Sequence, residues 1–173
     1  QQLIDLLPPL SNFRNDTSGA ITSYRINQPQ IENNGHPALV FLHGFNGSSK
    51  SWACQFSHFT SQTVIAIDAP GFGESQIFDG GMVAIADEVA ALISSLVTDK
   101  AVIIGHSMGG MLAQVLGATH PNICQAIILS CTHKGRAQPV GSPLRAAEQE
   151  RIQEREVMDD ASYGALRAGK MLS

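Results

Sequence analysis

The sequence predicts an α/β fold, a doubly wound and mostly parallel sheet with helices on both faces. Three observations predict it. Short unbroken apolar runs recur at residues 38–42, 64–67, 101–104 and 126–129, and a run with no polar alternation belongs to a strand covered on both faces. The segments between them carry apolar residues at helical spacing. The two kinds of segment alternate, the order that winds a parallel sheet by right-handed crossovers.

Taken in order, residues 20–26 read as an early strand with one side half exposed, because Ile21, Tyr24 and Ile26 are interleaved with polar residues. Residues 28–37 hold Pro29, Asn33-Asn34-Gly35 and Pro37, so a turn is expected there. Residues 52–59 form a short helix candidate. Over 83–96, Val83, Ala86, Val89 or Ala90, Ile93 and Leu96 fall on one helical face. Over 108–119 the face is Met108, Met111-Leu112 and Val115-Leu116, and His120-Pro121 ends the helix because Pro has no N–H to continue it. Composition changes after Ser130. A loop is expected at 132–143, with Gly135, Pro139, Gly141 and Pro143. Residues 144–157 are charged nearly all round, a surface or lid helix held by pairs such as Glu148 with Arg151. The expected division is therefore a core at 1–131, followed at 132–173 by the loop and the start of a helical lid.

Composition excludes several classes of function. The net charge is −4 with no Lys/Arg cluster, so nucleic acid is not an expected partner. No apolar run is long enough to span a bilayer, and no membrane partner is expected. The first residues lack a basic leader and a cleavage site. The three cysteines, Cys54, Cys124 and Cys131, are odd in number and widely spaced. They read as reduced, mostly packed thiols of a cytoplasmic protein rather than a disulfide or metal framework.

The chemistry concentrates at Gly105-His106-Ser107-Met108-Gly109-Gly110, between an apolar strand and a helix. A serine at such a sharp corner is strained and points its hydroxyl out of the sheet edge. Its neighbours two residues away must be small, and Gly105 and Gly109 meet that need. The helix start also directs free N–H groups and a positive dipole end at the place where an oxyanion would form. The bland alternatives are a structural Gly-Ser turn or a phosphate loop, and the latter would want a Lys before the Ser.

Two further phrases accompany this one: Leu42-His43-Gly44-Phe45 after the strand at 38–42, and Asp68-Ala69-Pro70-Gly71-Phe72-Gly73-Glu74-Ser75 after the strand at 64–67. In this order the three phrases resemble the α/β-hydrolase fold family, over residues 20–131, and most nearly its esterase, enol-lactonase and C–C hydrolase branch. The resemblance implies Ser107 as nucleophile and the backbone N–H groups of Phe45 and Met108 as oxyanion donors. It makes the 68–75 turn an element of shape, with Asp68 capping turn amides. His43, Trp52 and His133 are candidate pocket residues, although His43 reads more naturally as a turn stabiliser. His120 and His106 read as structural, and His36 and His58 carry no pattern. No metal or organic cofactor is implied.

The family's order is Ser, then an acid, then His. After Ser107 come His120 and His133, then Asp159 and Asp160, and no histidine follows any acid. The acid and base are therefore expected outside this chain, in a C-terminal remainder of the same protein; a short variant that has lost catalysis is the alternative. The function expected is hydrolysis of an ester, lactone, thioester or activated C–C bond in a small acyl substrate. The rivals are a non-catalytic ligand-binding protein on the same scaffold, and a cofactor-free haloperoxidase or acyltransferase.

Overall fold

A computed structural model describes residues 3–29, 35–135 and 142–172. The predicted turn at 28–37 and the predicted loop at 132–143 lie partly outside the described residues, at 30–34 and 136–141. The chain forms two compact units, Gln1–Gly135 and Arg136–Ser173.

The first unit is built on a six-stranded sheet. Its strands are β1 (Leu10–Arg14), β2 (Ile21–Asn27), β3 (Leu39–Leu42), β4 (Val64–Ile67), β5 (Ala101–His106) and β6 (Cys124–Ser130). Their spatial order is β1-β2-β4-β3-β5-β6. The pairs β1–β2 and β2–β4 are antiparallel, and β4, β3, β5 and β6 run parallel. Helices α1 (Ala53–His58), α2 (Met82–Leu96) and α3 (Met108–Thr119) join the parallel strands. This is the doubly wound, mostly parallel arrangement that the apolar runs predict.

Side-chain alternation along the strands divides the core in two. Val40 and Leu42 of β3, Ile65 and Ile67 of β4 and Ile103 of β5 pack with Ala86, Val89 and Ile93 of α2 and Leu112 and Leu116 of α3. Phe41, Val64 and Ala66 face the other way, toward Phe56 of α1, Trp52 and Leu7. All four β4 residues are buried, as a strand with helices on both sides must be.

Three elements differ from expectation. β1 is an addition. Its sequence Leu-Ser-Asn-Phe-Arg has no apolar run, and it lies at the sheet edge, where a half-wet strand needs none. β6 was expected to be covered on both faces, but Ile128 is 53% and Leu129 47% exposed. It is the last strand, and its inward contact is Ile127, whose Cδ1 fills the space a side chain at Gly117 of α3 would take. Val83, assigned to the buried face of α2, is 55% exposed. Burial there begins at Ala86, runs to Ile93 and includes Glu88, whose carboxylate accepts a 2.9 Å bond from Asn15 Nδ2.

The second unit contains α4 (Ala146–Val157) and α5 (Asp160–Leu172). Lys170 bridges Glu150 (2.9 Å) and Glu154 (2.5 Å), and the Arg155 guanidinium lies 5.6 Å from the Tyr163 ring centre. Glu148, expected to pair with Arg151, turns back to the Arg145 N–H at 2.9 Å, where it satisfies a donor at the start of α4. The helix α5 was not foreseen. Asp159 starts it, accepting from the Ser162 N–H (2.9 Å) and hydroxyl (2.8 Å). Among the described residues no helix is long and apolar enough to cross a membrane.

Candidate active site

The parallel strands β3, β4 and β5 all end at one edge of the sheet, and the three sequence phrases meet there. β5 passes directly into α3 through Ser107, which has φ 52° and ψ −114°. Few residues other than glycine adopt positive φ, and a serine held there marks a strained corner. The flanking glycines make the corner possible. A Cβ on Gly105 would stand 2.3 Å from the Gly109 carbonyl oxygen, and one on Gly109 would stand 2.2 Å from the Leu42 carbonyl oxygen. α3 therefore starts in backbone contact with both β5 and β3.

The same closeness brings in the turn after β3. A Cβ on Gly44 would lie 3.3 Å from Ser107 Cβ and 3.1 Å from His106 Cδ2. Ser107 is half-buried, and among the described residues no hydrogen bond engages its hydroxyl. Nor does the Phe45 or Met108 N–H find an acceptor among them. Met108 is the first residue of α3, where such N–H groups are left over by the helix itself. The elbow thus gathers Ser107, Gly44, Gly105, Gly109 and the Met108 N–H at one point.

The other nominated residues have different occupations. His43 is buried and its ring is fully engaged. Nδ1 lies 2.7 Å from the Gly44 carbonyl, to which it donates, and Nε2 accepts from the Ala69 N–H at 3.0 Å. Burial lowers the His43 pKa, against smaller raising effects of the Gly44 hydrogen bond and the nearby Asp68 charge. The imidazole is accordingly a neutral strut between two loops rather than a pocket wall. Trp52 lies over Phe41, ring centres 4.8 Å apart, in the second core layer. Its described contacts are packing contacts. His133 is exposed, its Nδ1 accepting from the Gly135 N–H at 3.0 Å. The Phe45 side chain is 63% exposed and meets Phe72 edge-on at 5.6 Å.

Asp68 organises the neighbouring loops. Its buried carboxylate accepts from the Ser49 N–H at 2.5 Å and the Glu74 N–H at 3.2 Å, and its carbonyl accepts from the Ser75 hydroxyl at 2.6 Å. A Cβ on Gly73 (φ 55°) would strike that carboxylate at 2.4 Å. His120 caps the end of α3 and bonds Asp87 of α2 at 2.8 Å. A cavity of about 410 Å³ is lined by Cys54, Gln55, Ser57, His58 and Phe59 and includes no elbow residue. Among the described residues, no three His, Cys, Asp or Glu side chains gather as metal ligands. Sequence reasoning missed Ser130 and Thr132, which reach the elbow from the end of the neighbouring strand β6, and Gln114, one turn further along α3.

A mostly parallel sheet with a strained serine between strand and helix defines the class of protein. The alpha/beta hydrolase fold family model matches residues 37–163, and the chain belongs to that family. Est816, described as an N-acyl homoserine lactone degrading enzyme, is 30% identical over 70% of this chain and 45% of its own, with a TM-score of 0.61. A thermophilic esterase from Thermogutta terrifontis is 26% identical over 86% of this chain and 52% of its own, with a TM-score of 0.67. A hydrolase from Pseudomonas aeruginosa shares the fold at 22% identity, covering 92% of this chain and 58% of its own, with a TM-score of 0.74. The chain spans about half the length of the structures it matches.

Proposed function

We propose that this chain carries the nucleophile and oxyanion donors of a serine hydrolase that cleaves an ester, lactone, thioester or activated C–C bond. The observation that carries the proposal is Ser107 at φ 52°, between glycines whose missing Cβ atoms let α3 start against the sheet. Ser107 Oγ attacks the acyl carbon while its proton passes to a histidine base. The carbonyl oxygen becomes an anion facing the Phe45 and Met108 N–H groups. The leaving group departs with that proton, and water then attacks the acyl-enzyme and restores the serine. The histidine and its orienting acid belong, in this proposal, to sequence outside the 173 residues, since no histidine follows an acid after Ser107.

The two similar structures at 30% and 26% identity, a lactone-degrading enzyme and an esterase, favour a carboxylic ester or lactone as substrate. The exposed Phe45 beside Phe72 favours an apolar acyl group. Three unpaired thiols suit a reducing, cytoplasmic setting, although Cys54 and Cys131 are exposed rather than packed and Cys124 is only partly buried. A fluorophosphonate probe tests the proposal in the intact protein. The wild type is expected to gain one phosphonyl group, at Ser107, and Ser107→Ala none. An unlabelled wild type would overturn it.

A further inference from the structure

The tail of β6 grips the serine elbow by its backbone. The Ser107 N–H donates to the Ser130 carbonyl at 2.9 Å. Two residues further along, the Thr132 hydroxyl donates to the Ser107 carbonyl at 2.6 Å. Between these two contacts stands Cys131 at φ 47°. Among the described residues, Ser107 and Cys131 are the two non-glycine residues with positive φ. An extended backbone at 131 would prolong β6 along the sheet. The left-handed kink turns the chain onto the elbow instead.

The grip includes packing. A Cβ on Gly110 would stand 2.6 Å from Thr132 Cβ, so the third glycine of the elbow phrase leaves room for this threonine. The Gln114 amide bonds the carbonyls of Gly110 (3.0 Å) and His133 (3.1 Å), stitching the first turn of α3 to the same tail. The Ser107 carbonyl also accepts from the Gly110 (3.0 Å) and Met111 (3.2 Å) N–H groups. Those two bonds begin any helix. The third donor, from a side chain in the loop that follows β6, fixes the rotation of the Ser107 peptide about the corner.

We propose that Thr132 is a positioning residue for Ser107: its hydroxyl, aimed by the kink at Cys131, holds the strained peptide from which the nucleophile projects. This rests on the assignment of Ser107 as nucleophile. Thr132→Val keeps the shape and removes the donor. The test measures p-nitrophenyl butyrate hydrolysis and fluorophosphonate labelling in the intact protein. In Thr132→Val, kcat and the labelling rate are expected to fall about tenfold to a hundredfold with KM within about twofold, the pattern of a misplaced reacting group. Thr132→Ser, which retains the hydroxyl, is expected to recover to within about threefold of wild type, with Thr132→Cys, a weaker donor, in between. A reactive wild type with an equally reactive Thr132→Val would overturn the inference. So would a Thr132→Ser as slow as Thr132→Val. If Thr132→Val does not fold, equal rates for the Ser and Cys variants would overturn it. An unreactive wild type would sink the nucleophile assignment itself, a separate result.

Discussion

Gly109→Ala should both loosen the fold and blunt the serine. The new methyl would stand 2.2 Å from the Leu42 carbonyl oxygen, 2.5 Å from its carbon and 2.6 Å from the His43 carbonyl oxygen. A carbon and a carbonyl oxygen normally stay about 3.3 Å apart, so α3 must retreat by about 1 Å. The atoms in the way are backbone and cannot rotate aside, which puts the cost near the top of the overpacking range, about 3 kcal/mol. For a domain of this size that is a fall in Tm of roughly 6–12 °C. The same retreat moves Ser107 relative to the Gly44 turn, and a displacement of about 1 Å can cost on the order of a hundredfold in rate. Differential scanning calorimetry and fluorophosphonate labelling measure the two effects. Gly164→Ala in α5, which meets nothing within 4 Å, is the control expected to lose no stability. A Gly109→Ala protein that melts within about 2 °C of wild type, or labels equally fast, would refute the close packing of α3 on β3.

Two other outcomes follow from the loops. Asp68→Ala leaves the Ser49 and Glu74 N–H groups without their acceptor. It is expected to destabilise by about 2–3 kcal/mol, read as a lower urea midpoint at unchanged slope. The buried His43 takes its proton only below the ordinary value of 6.5, so between the two values the unfolded chain binds more protons and stability rises with pH. Its contribution is complete above 6.5 and is lost as pH falls through the folded value. Urea midpoints should therefore fall from about pH 7.5 to about pH 5, and His43→Gln should flatten that slope; equal slopes would show that another group titrates.

The covered strands were legible because burial on both faces leaves an unbroken apolar run, as in β3 and β4. The elbow was legible because crowding at a strand-to-helix corner permits only glycine at 105 and 109. β1 left no such mark, since an edge strand meets water and can be spelled Leu-Ser-Asn-Phe-Arg. β6 misled for the converse reason: the apolar run at 126–129 is present, yet the described residues cover chiefly its Ile127 side. His43 could serve as wall or as strut from sequence alone. The choice lies in the Ala69 N–H, which is 26 residues away and reaches it only once β3 and β4 pair in register. Thr132 was hidden likewise, because its partner is a main-chain carbonyl with no residue type of its own to recognise.

The Asp68 carboxylate and the His43 ring have a joint effect on how the rim of the site fluctuates. Residues 43–49 and 68–75 are fastened to each other at the Ser49 and Ala69 amides, and the Glu74 amide closes 68–75 on the same carboxylate, so neither can swing out alone. Their amides should exchange with solvent in a single cooperative opening rather than by separate fraying. A rim that is already rigid loses little disorder when a guest arrives. The mouth beside Ser107 is thus closer to a mould than to a pair of independent flaps.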